Sequence, residues 1–454
     1  MNYRYRNAEE MKDSGVECIG KIPKEWSVNR LKNITNIFGR IGFRGYTVED
    51  LVNEGEGAIT LSPSNIENQS LVLDKKTYIS WSKYEESPEI KIYNGDIVFV
   101  KTASVGKAAL IEGLNEKATI NPQFVVFKNI GCNKKYLYYN TISNVIQQQV
   151  NRAVNGGVVG TLTQQDINNY SLPYPTIVEQ EKIAKFLDEK TAQFDSIISK
   201  KEALIEKLEE AKKSLISEVV TGKVKVVKTN DGYELVERKK EEMKDSGVEW
   251  LGDIPKKWNV KKIKYISKIY RGKFNHRPRN DPEFYDGEYP FIQTGDVANS
   301  NMYITKYTQT LNKKGYSVSK EFPKGTLIMT IAANIGDIAI LDFNACFPDS
   351  IVGFTPNNNI DIKFMYYIYS IMKEEFMSTA IINTQMNLNV ERIENLFIVV
   401  PNIEKQKIIV DYIESKLGNI MNTINKVRQQ IQKLKEAKQS LISEAVTGKI
   451  EILD

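Results

Sequence analysis

Two phrases in this chain are each written twice, about half its length apart, and what lies between the copies differs. Residues 11–17 (MKDSGVE) return unchanged at 243–249, and both copies run on through a shared Gly, Ile and Pro to Trp26 and Trp258. Residues 208–223 (LEEAKKSLISEVVTGK) reappear at 434–449 (LKEAKQSLISEAVTGK), identical at 13 of 16 positions. The first pair is offset by 232 residues and the second by 226, so the intervening segments differ in length by 6. Repetition on this scale describes a scaffold built more than once. Two matched frames hold two unmatched inserts, which points to one architecture presenting two different surfaces.

A length of 454 residues agrees with that reading, since single cores rarely grow past ~250–300 residues. A hydrophobic content of 41% is enough to fill two cores. The opening MNYRYRNAEE has no apolar stretch behind its basic residues, and no run approaches the roughly 20 apolar residues that span a membrane. A cytoplasmic location is therefore expected. Cys18, Cys132 and Cys346 are odd in number and lack metal-type spacing, so buried reduced thiols are expected rather than disulfides or a metal site. One histidine, His276, leaves little room for imidazole chemistry.

The rear segments carry the clearest periodicity. Leu187, Phe194, Leu208 and Leu215 fall on a seven-residue grid that Lys201 interrupts, with Ile198 and Ile205 four residues after Phe194 and Lys201. In the second copy Ile413, Ile420, Val427, Leu434 and Leu441 interleave with Leu417, Ile424 and Ile431. Steps of four and three are the signature of a coiled-coil seam, and such a stripe needs a partner to bury it. The other copy is the most economical one. The pattern predicts helices of about 38 residues, roughly 55 Å long at 1.5 Å per residue. Each stops at Thr-Gly-Lys, where the Gly ends a helix. A long helix pair joining two modules acts as a spacer; the alternative is a self-contained bundle.

The inserts read as mixed α/β modules. Residues 97–100 and 327–330 are short apolar runs entered from turns, and further strands are expected at 123–128 and 350–355, with helices at 136–149 and 362–376. Pro175 and Pro401 mark the entries to the long helices. Net charge is +5, yet residues 256–279 hold ten Lys or Arg and no Asp or Glu. An anionic partner would explain that run; so would a solvated face, because Val260, Ile263, Ile266 and Ile269 sit between the charges. The first half has a weaker counterpart in Arg30, Lys32, Arg40 and Arg44.

Three segments approach catalytic motifs and none completes one. Asn121-Pro122-Gln123-Phe124 is one residue from the Asn-Pro-Pro-Phe loop of adenine methyltransferases, but no glycine-rich cofactor loop accompanies it, and a turn into a strand is expected. Pro348-Asp349 followed by Asp361-Ile362-Lys363 fits a loose nuclease pattern in which carboxylates hold Mg²⁺. It is short enough to arise by chance and has no equivalent in the first insert. The Gly-rich stretch 156–160 lacks the Lys-Ser/Thr of a nucleotide loop and is expected to be a surface loop.

The frame at 243–258, the Gly-Asp-Ile run at Gly95 and the Leu-Ile-Ser-Glu-x-Val-Thr-Gly-Lys helix ends resemble the specificity subunit of Type I restriction-modification systems. The resemblance covers essentially the whole chain, and the doubled order of frame, insert and helix is its most specific part. The first copy departs from it at Cys18, where the second has Trp250. The resemblance implies an α+β chain: two mixed α/β target-recognition domains joined by a pair of long antiparallel coiled-coil helices, an internal pseudo-twofold repeat. The expected boundaries are a frame segment at 1–23, a first target-recognition domain at 24–175 and a first helix at 176–222. A linker and second frame follow at 223–255, a second domain at 256–401, and a second helix and tail at 402–454.

It further implies no catalysis and no cofactor in this chain. S-adenosylmethionine would sit on two partner methylation subunits that methylate adenine, and ATP and Mg on restriction subunits if these are present, in a phage-defence system. Each domain would read half of a split double-stranded DNA target, with the helices setting the spacing. Base edges are read chiefly by Arg, Lys, Asn and Gln. The candidate DNA contacts are Arg40, Arg44, Lys101, Thr102, Lys107 and Arg152 in the first module. In the second they are Arg271, Lys273, Arg277, Arg279, Gln293, Thr294, Gln385 and Asn387. A free-standing DNA-binding regulator and a protein-only coiled-coil adaptor are the rival functions.

Overall fold

In the computed structural model the protein is described at residues 2–40, 45–154, 160–230, 232–332, 334–378, 381–382 and 386–453. It divides into two compact units, residues 1–202 with 428–454 and residues 203–427. Each unit therefore takes one end of one long helix and the opposite end of the other. The helices run Ile177–Val220 and Ile403–Val446, 44 residues each, or roughly 66 Å at 1.5 Å per residue. The expected figures were shorter because the heptad grid starts only at Leu187 and Ile413. The preceding turns use a different period: Ile183, Phe186 and Leu187 pack into the core of their unit, as do Ile409, Val410, Tyr412 and Ile413 in theirs.

Within the first unit the helix segments pair antiparallel, as Lys438 to Asp195 at 2.7 Å and Lys435 to Glu202 at 3.5 Å require. In the second unit Lys212 reaches Met421 Sδ at 3.8 Å. None of the positions on the heptad grid is exposed. Leu187, Ile198, Ile413, Ile424, Val427 and Ile431 are buried, and Phe194, Ile205, Leu208, Leu215, Leu417, Ile420, Leu434 and Leu441 are half-buried. Ile197 and Leu204, off the grid, are exposed.

The inserts differ in sequence and share a topology. In the first, one sheet has the order Ala108–Leu110, Ile97–Val100, Phe124–Lys128, Asn36–Gly39. In the second, Ile338–Leu341, Leu327–Thr330, Ile351–Pro356 and Ser267–Arg271 take the same order, antiparallel throughout, with Tyr303–Ile304 added in parallel at one edge. A second sheet in each module contains one parallel pair, Gly57–Leu61 with Ala118–Ile120 and Tyr285–Phe291 with Ala345–Cys346. The expected single helices are each broken in two, Lys134–Ile142 with Asn144–Val154 and Ile362–Ile371 with Lys373–Ser378.

The repeated phrases owe their likeness to a shared task. Each frame is a hairpin, Met11–Asp13 with Lys21–Pro23 and Met243–Asp245 with Asp253–Pro255, in the same register. Its turn is specified by side chains: Asp13 and Asp245 each accept the N–H of the following Gly at 2.9 Å, the local bond that makes Asp a turn former. The frame then docks on the Thr-Gly-Lys helix end of its own unit. A Cβ on Gly448 would lie 2.6 Å from Pro23, and one on Gly222 would lie 2.6 Å from Trp258, the two glycines having φ of +69° and +77°. Arg6 donates to Gly448 O at 3.0 Å and Arg238 to Gly222 O at 2.8 Å, and each guanidinium lies over the frame Trp.

Strand pairing completes each junction. In the first unit Tyr3–Tyr5 pairs with Ile450–Ile452, and in the second Val224–Thr229 pairs with Gly232–Glu237. The stretch expected as a linker at 223–255 thus carries a hairpin as well as the second frame.

Candidate nucleic-acid interface

The basic run of the second module is placed by the edge strand Ser267–Arg271 and the turn after it. Gly272 follows, and no other residue fits: a Cβ there would meet Pro348 O at 2.2 Å and Phe347 O at 2.5 Å. Gly272 N donates to Ile351 O at 2.9 Å and Lys273 N to Phe347 O at 3.0 Å. This close approach lays residues 271–279 against the segment 347–349. Arg271 Nε donates to the Asp349 carbonyl at 2.7 Å. Arg279 forms an ion pair with the Asp349 carboxylate, and Arg277 NH2 lies 3.6 Å from the other carboxylate oxygen. Arg277 NH1 is also held by the carbonyls of Phe274 and His276, at 2.9 and 2.8 Å.

Three of the sequence-predicted residues thus converge on one residue, and all three remain exposed, as does Lys273. His276 stacks on Phe284 with centroids 3.8 Å apart and bonds Asp281 at 3.0 Å, fixing the base of the turn. Backbone donation from Glu283 and the His276 contact hold the Asp281 carboxyl below its usual range.

Gln293 and Thr294 sit at the start of the short helix Thr294–Ala298, where Gln293 Nε2 donates to Gln309 Oε1 at 2.8 Å. Gln385 lies outside the described residues; Asn387 belongs to the strand Met386–Asn387, and its side chain lies outside them.

In the first module Lys101, Thr102 and Lys107 surround the Gly106 turn, all half-buried. Thr102 forms an isolated bridge with Thr161, and Lys101 O accepts from Leu162 N at 2.8 Å. Arg152, on the helix Asn144–Val154, is exposed and pairs with Glu17 of the frame at 3.0 Å. Arg44 and residues 156–159 of the Gly-rich stretch lie outside the described residues.

Arg40 requires a correction. It is 4% exposed, with Nε donating to Ile120 O at 3.2 Å and its guanidinium 5.5 Å from the Tyr46 ring centroid. Desolvation lowers its pKa. A group in that position supports the module from inside.

The three near-motifs have structural tasks where they are described. Asn121 makes a turn, its side chain accepting from Gln123 N at 2.9 Å, just before the strand Phe124–Lys128. Asp361 caps the helix Ile362–Ile371, accepting from Lys363 N and Phe364 N at 2.9 and 3.0 Å. Lys363 Nζ is occupied by Glu414 at 2.7 Å. Among the described residues no group of three or more His, Cys, Asp or Glu could hold a metal ion, and no helix is long and apolar enough to cross a membrane.

Asp349 is the member of this site that sequence reasoning assigned elsewhere, to the nuclease pattern. Its distance of 70 to 78 positions from its arginine partners leaves no local spacing to detect. The usable signal was an isolated Asp after Pro in an insert whose opening holds many cations and no acid.

Comparison with known proteins gives one answer. A family model described as Type I restriction modification DNA specificity domain matches residues 23–210 and again 255–436. The chain is 26% identical over 457 residues to a Methanocaldococcus jannaschii protein named provisionally as the MjaX specificity subunit of a type I restriction enzyme, covering 96% of each. It is 22% identical over 472 residues to the MjaIX specificity subunit of the same organism, covering 99% of this chain and 98% of that one. A chain solved in work on complex assembly and conformational transition of the type I R-M system has the same fold, with a TM-score of 0.66 at 15% identity over 94% of this chain and 99% of that one.

Proposed function

This chain belongs to the Type I restriction-modification DNA specificity family, and on that premise we propose that it selects the DNA target of a Type I restriction-modification complex. Each module reads one half of a split target, and the long helices set the spacing between the halves. The chain performs no chemistry itself. It directs adenine methylation and restriction by partner subunits, which carry S-adenosylmethionine and, where restriction subunits are present, ATP and Mg.

The observation that carries the reading is the doubling: two inserts of one topology and unlike sequence, each framed by nearly identical elements. A reader of two different half-sites needs that combination, because the scaffold must repeat while the contact surface must not. The proposed contacts are Lys101, Thr102, Lys107 and Arg152 in the first module, and Arg271, Lys273, Arg277, Arg279, Gln293, Thr294 and Asn387 in the second. Phosphate contacts fix register and base contacts specify sequence.

Two methylation subunits are proposed per chain, one docking on each junction of frame and helix end. Those junctions are the surfaces that recur almost unchanged. The assembly would act in the cytoplasm, on chromosomal and incoming phage DNA.

The test is genome-wide mapping of N6-methyladenine in cells with and without this chain, the methylation subunit being present in both. Loss of one split motif with a fixed spacer supports the reading and discloses both half-sites. An unchanged map sinks it and leaves the regulator and the adaptor; salt-sensitive DNA binding by this chain without partners would then favour the regulator.

A further inference from the structure

We infer that Asp349 is a positioning residue whose carboxylate sets Arg277 and Arg279, beside an Arg271 held by its main-chain carbonyl, to read guanine in the half-target of the second module. The inference rests on the reading of this chain as a specificity subunit and adds a base to it. The cluster has an unusual composition for a phosphate clamp. Four exposed cations, Arg271, Lys273, Arg277 and Arg279, stand in a segment that contributes no carboxylate between residues 256 and 279. One carboxylate, from a distant part of the chain, is placed against two of them, Arg277 and Arg279, and the main-chain carbonyl of the same residue holds Arg271.

At a phosphate-binding surface that acid would be counterproductive. It repels a phosphate at the distance at which the arginines attract it, and the charge it removes is the source of nonspecific affinity. At a base-reading surface the same acid is useful. A guanidinium has five N–H donors in a rigid fork. Arg271 commits Nε to the Asp349 carbonyl, so its NH1 and NH2 groups are not used by that bond. Arg279 and Arg277 each turn NH2 to the carboxylate, and Arg277 is further tied by NH1 to two carbonyls.

Tethering part of each fork limits the side-chain freedom that would otherwise be lost on binding. The pairing favoured for an oriented arginine fork in the major groove is bidentate donation to guanine O6 and N7. A carboxylate beside it is compatible with the same base pair, since it accepts from the N4 amino group of the paired cytosine.

Gly272 belongs to the same device. Without it the segment 347–349 could not lie against residues 271–273, and Asp349 would not reach the arginines.

The experiment compares wild type with Asp349→Asn and Asp349→Ala in the complete complex with methylation subunits. It reads the methylated motif genome-wide and the salt dependence of binding to a matched duplex. Asp349 is about one-third exposed, and Asp349→Asn keeps its shape, so folding is preserved in at least that variant. The expected result is a relaxed requirement at one or two guanine positions of one half-site only. Discrimination there should fall by about 5- to 150-fold, the range that ~1–3 kcal/mol per bidentate pair represents. The other half-site, the spacer and the slope of affinity against salt should stay as in wild type.

Tighter binding to all sequences with an unaltered motif would overturn the inference, because Asp349 would then only be weakening a phosphate clamp. A wholly unchanged motif and affinity would overturn it too. Arg277→Ala and Arg279→Ala separate this failure from a failure of the underlying reading. If they alter one half-site while the Asp349 variants do not, only the positioning role is lost. If they too leave motif and binding untouched, this surface does not face DNA.

Discussion

Arg40 and Lys107 bring the same charge into the first module and meet opposite environments. Arg40 is enclosed beneath Tyr46 and bonded to the Ile120 carbonyl, whereas Lys107 stands half-exposed beside the Gly106 turn. Removing Arg40 leaves a buried carbonyl unpaired, so Arg40→Ala should cost about 1–3 kcal/mol of stability. Lys107→Ala should stay within about 0.5 kcal/mol. If Lys107 holds a phosphate, its removal should weaken binding evenly across sequences and lower the salt slope by about 1. Thermal unfolding and salt-dependent binding, measured side by side, separate the two roles.

Of the three cysteines expected to be buried, Cys132 and Cys346 are, and Cys18 is half-buried. Burial pushes the Cys132 thiol up to about 12. At pH 8 the neutral thiol then dominates, with a thiolate fraction on the order of 1 in 10,000. Iodoacetamide at that pH should leave Cys132 unmodified in the native protein and modify it once urea unfolds the chain. Equal labelling rates in the two states would show that the site is open in the native state.

At the scale of elements the long helices combine two periods. Their first turns pack on the module core, and Thr176 starts the first of them by a reciprocal arrangement with Glu179, whose carboxylate accepts from Thr176 N at 3.2 Å and from Thr176 Oγ1 at 2.9 Å. That Thr-x-x-Glu signature was readable in the sequence, but the heptad grid, which begins only at Leu187, dominated the pattern. Along the seam, Ile413 and Ile424 are fully buried while Ile197 is 44% exposed. Ile424→Ala or Ile413→Ala should destabilise by about 2–5 kcal/mol, and Ile197→Ala by less than about 0.5 kcal/mol. A comparable loss at all three positions in thermal melts would contradict the assignment of the seam.

For the whole molecule, the prediction concerns spacing. Removing one heptad from each long helix keeps the seam in phase and shortens each by roughly 10 Å, about 3 base pairs of duplex. If the helices set the half-site separation as proposed, the methylated motif should keep both half-sites and lose about 3 base pairs of spacer. An unchanged spacer in a folded, active variant would assign the spacing to another part of the assembly.

The sequence by itself determined what depends on neighbours along the chain. The repeat, the long helices, the helix ends at Gly222 and Gly448, and short strands such as 97–100 and 327–330 were all legible because their periods and turn residues act over a few positions. Only the tertiary structure decided what depends on distant partners. It showed that the frame and the helix end repeat together because they pack on each other, Trp26 near Gly448 and Trp258 near Gly222. It showed that inserts with unlike sequences share one strand order, since their central strands are buried on both faces and such cores tolerate different apolar residues of suitable size. It turned Arg40 inward and drew Arg271, Arg277 and Arg279 around Asp349. The direction a charged side chain takes is set by which carbonyls and carboxylates folding brings within hydrogen-bonding reach, and Ile120 and Asp349 stand 70 or more positions from the arginines they hold.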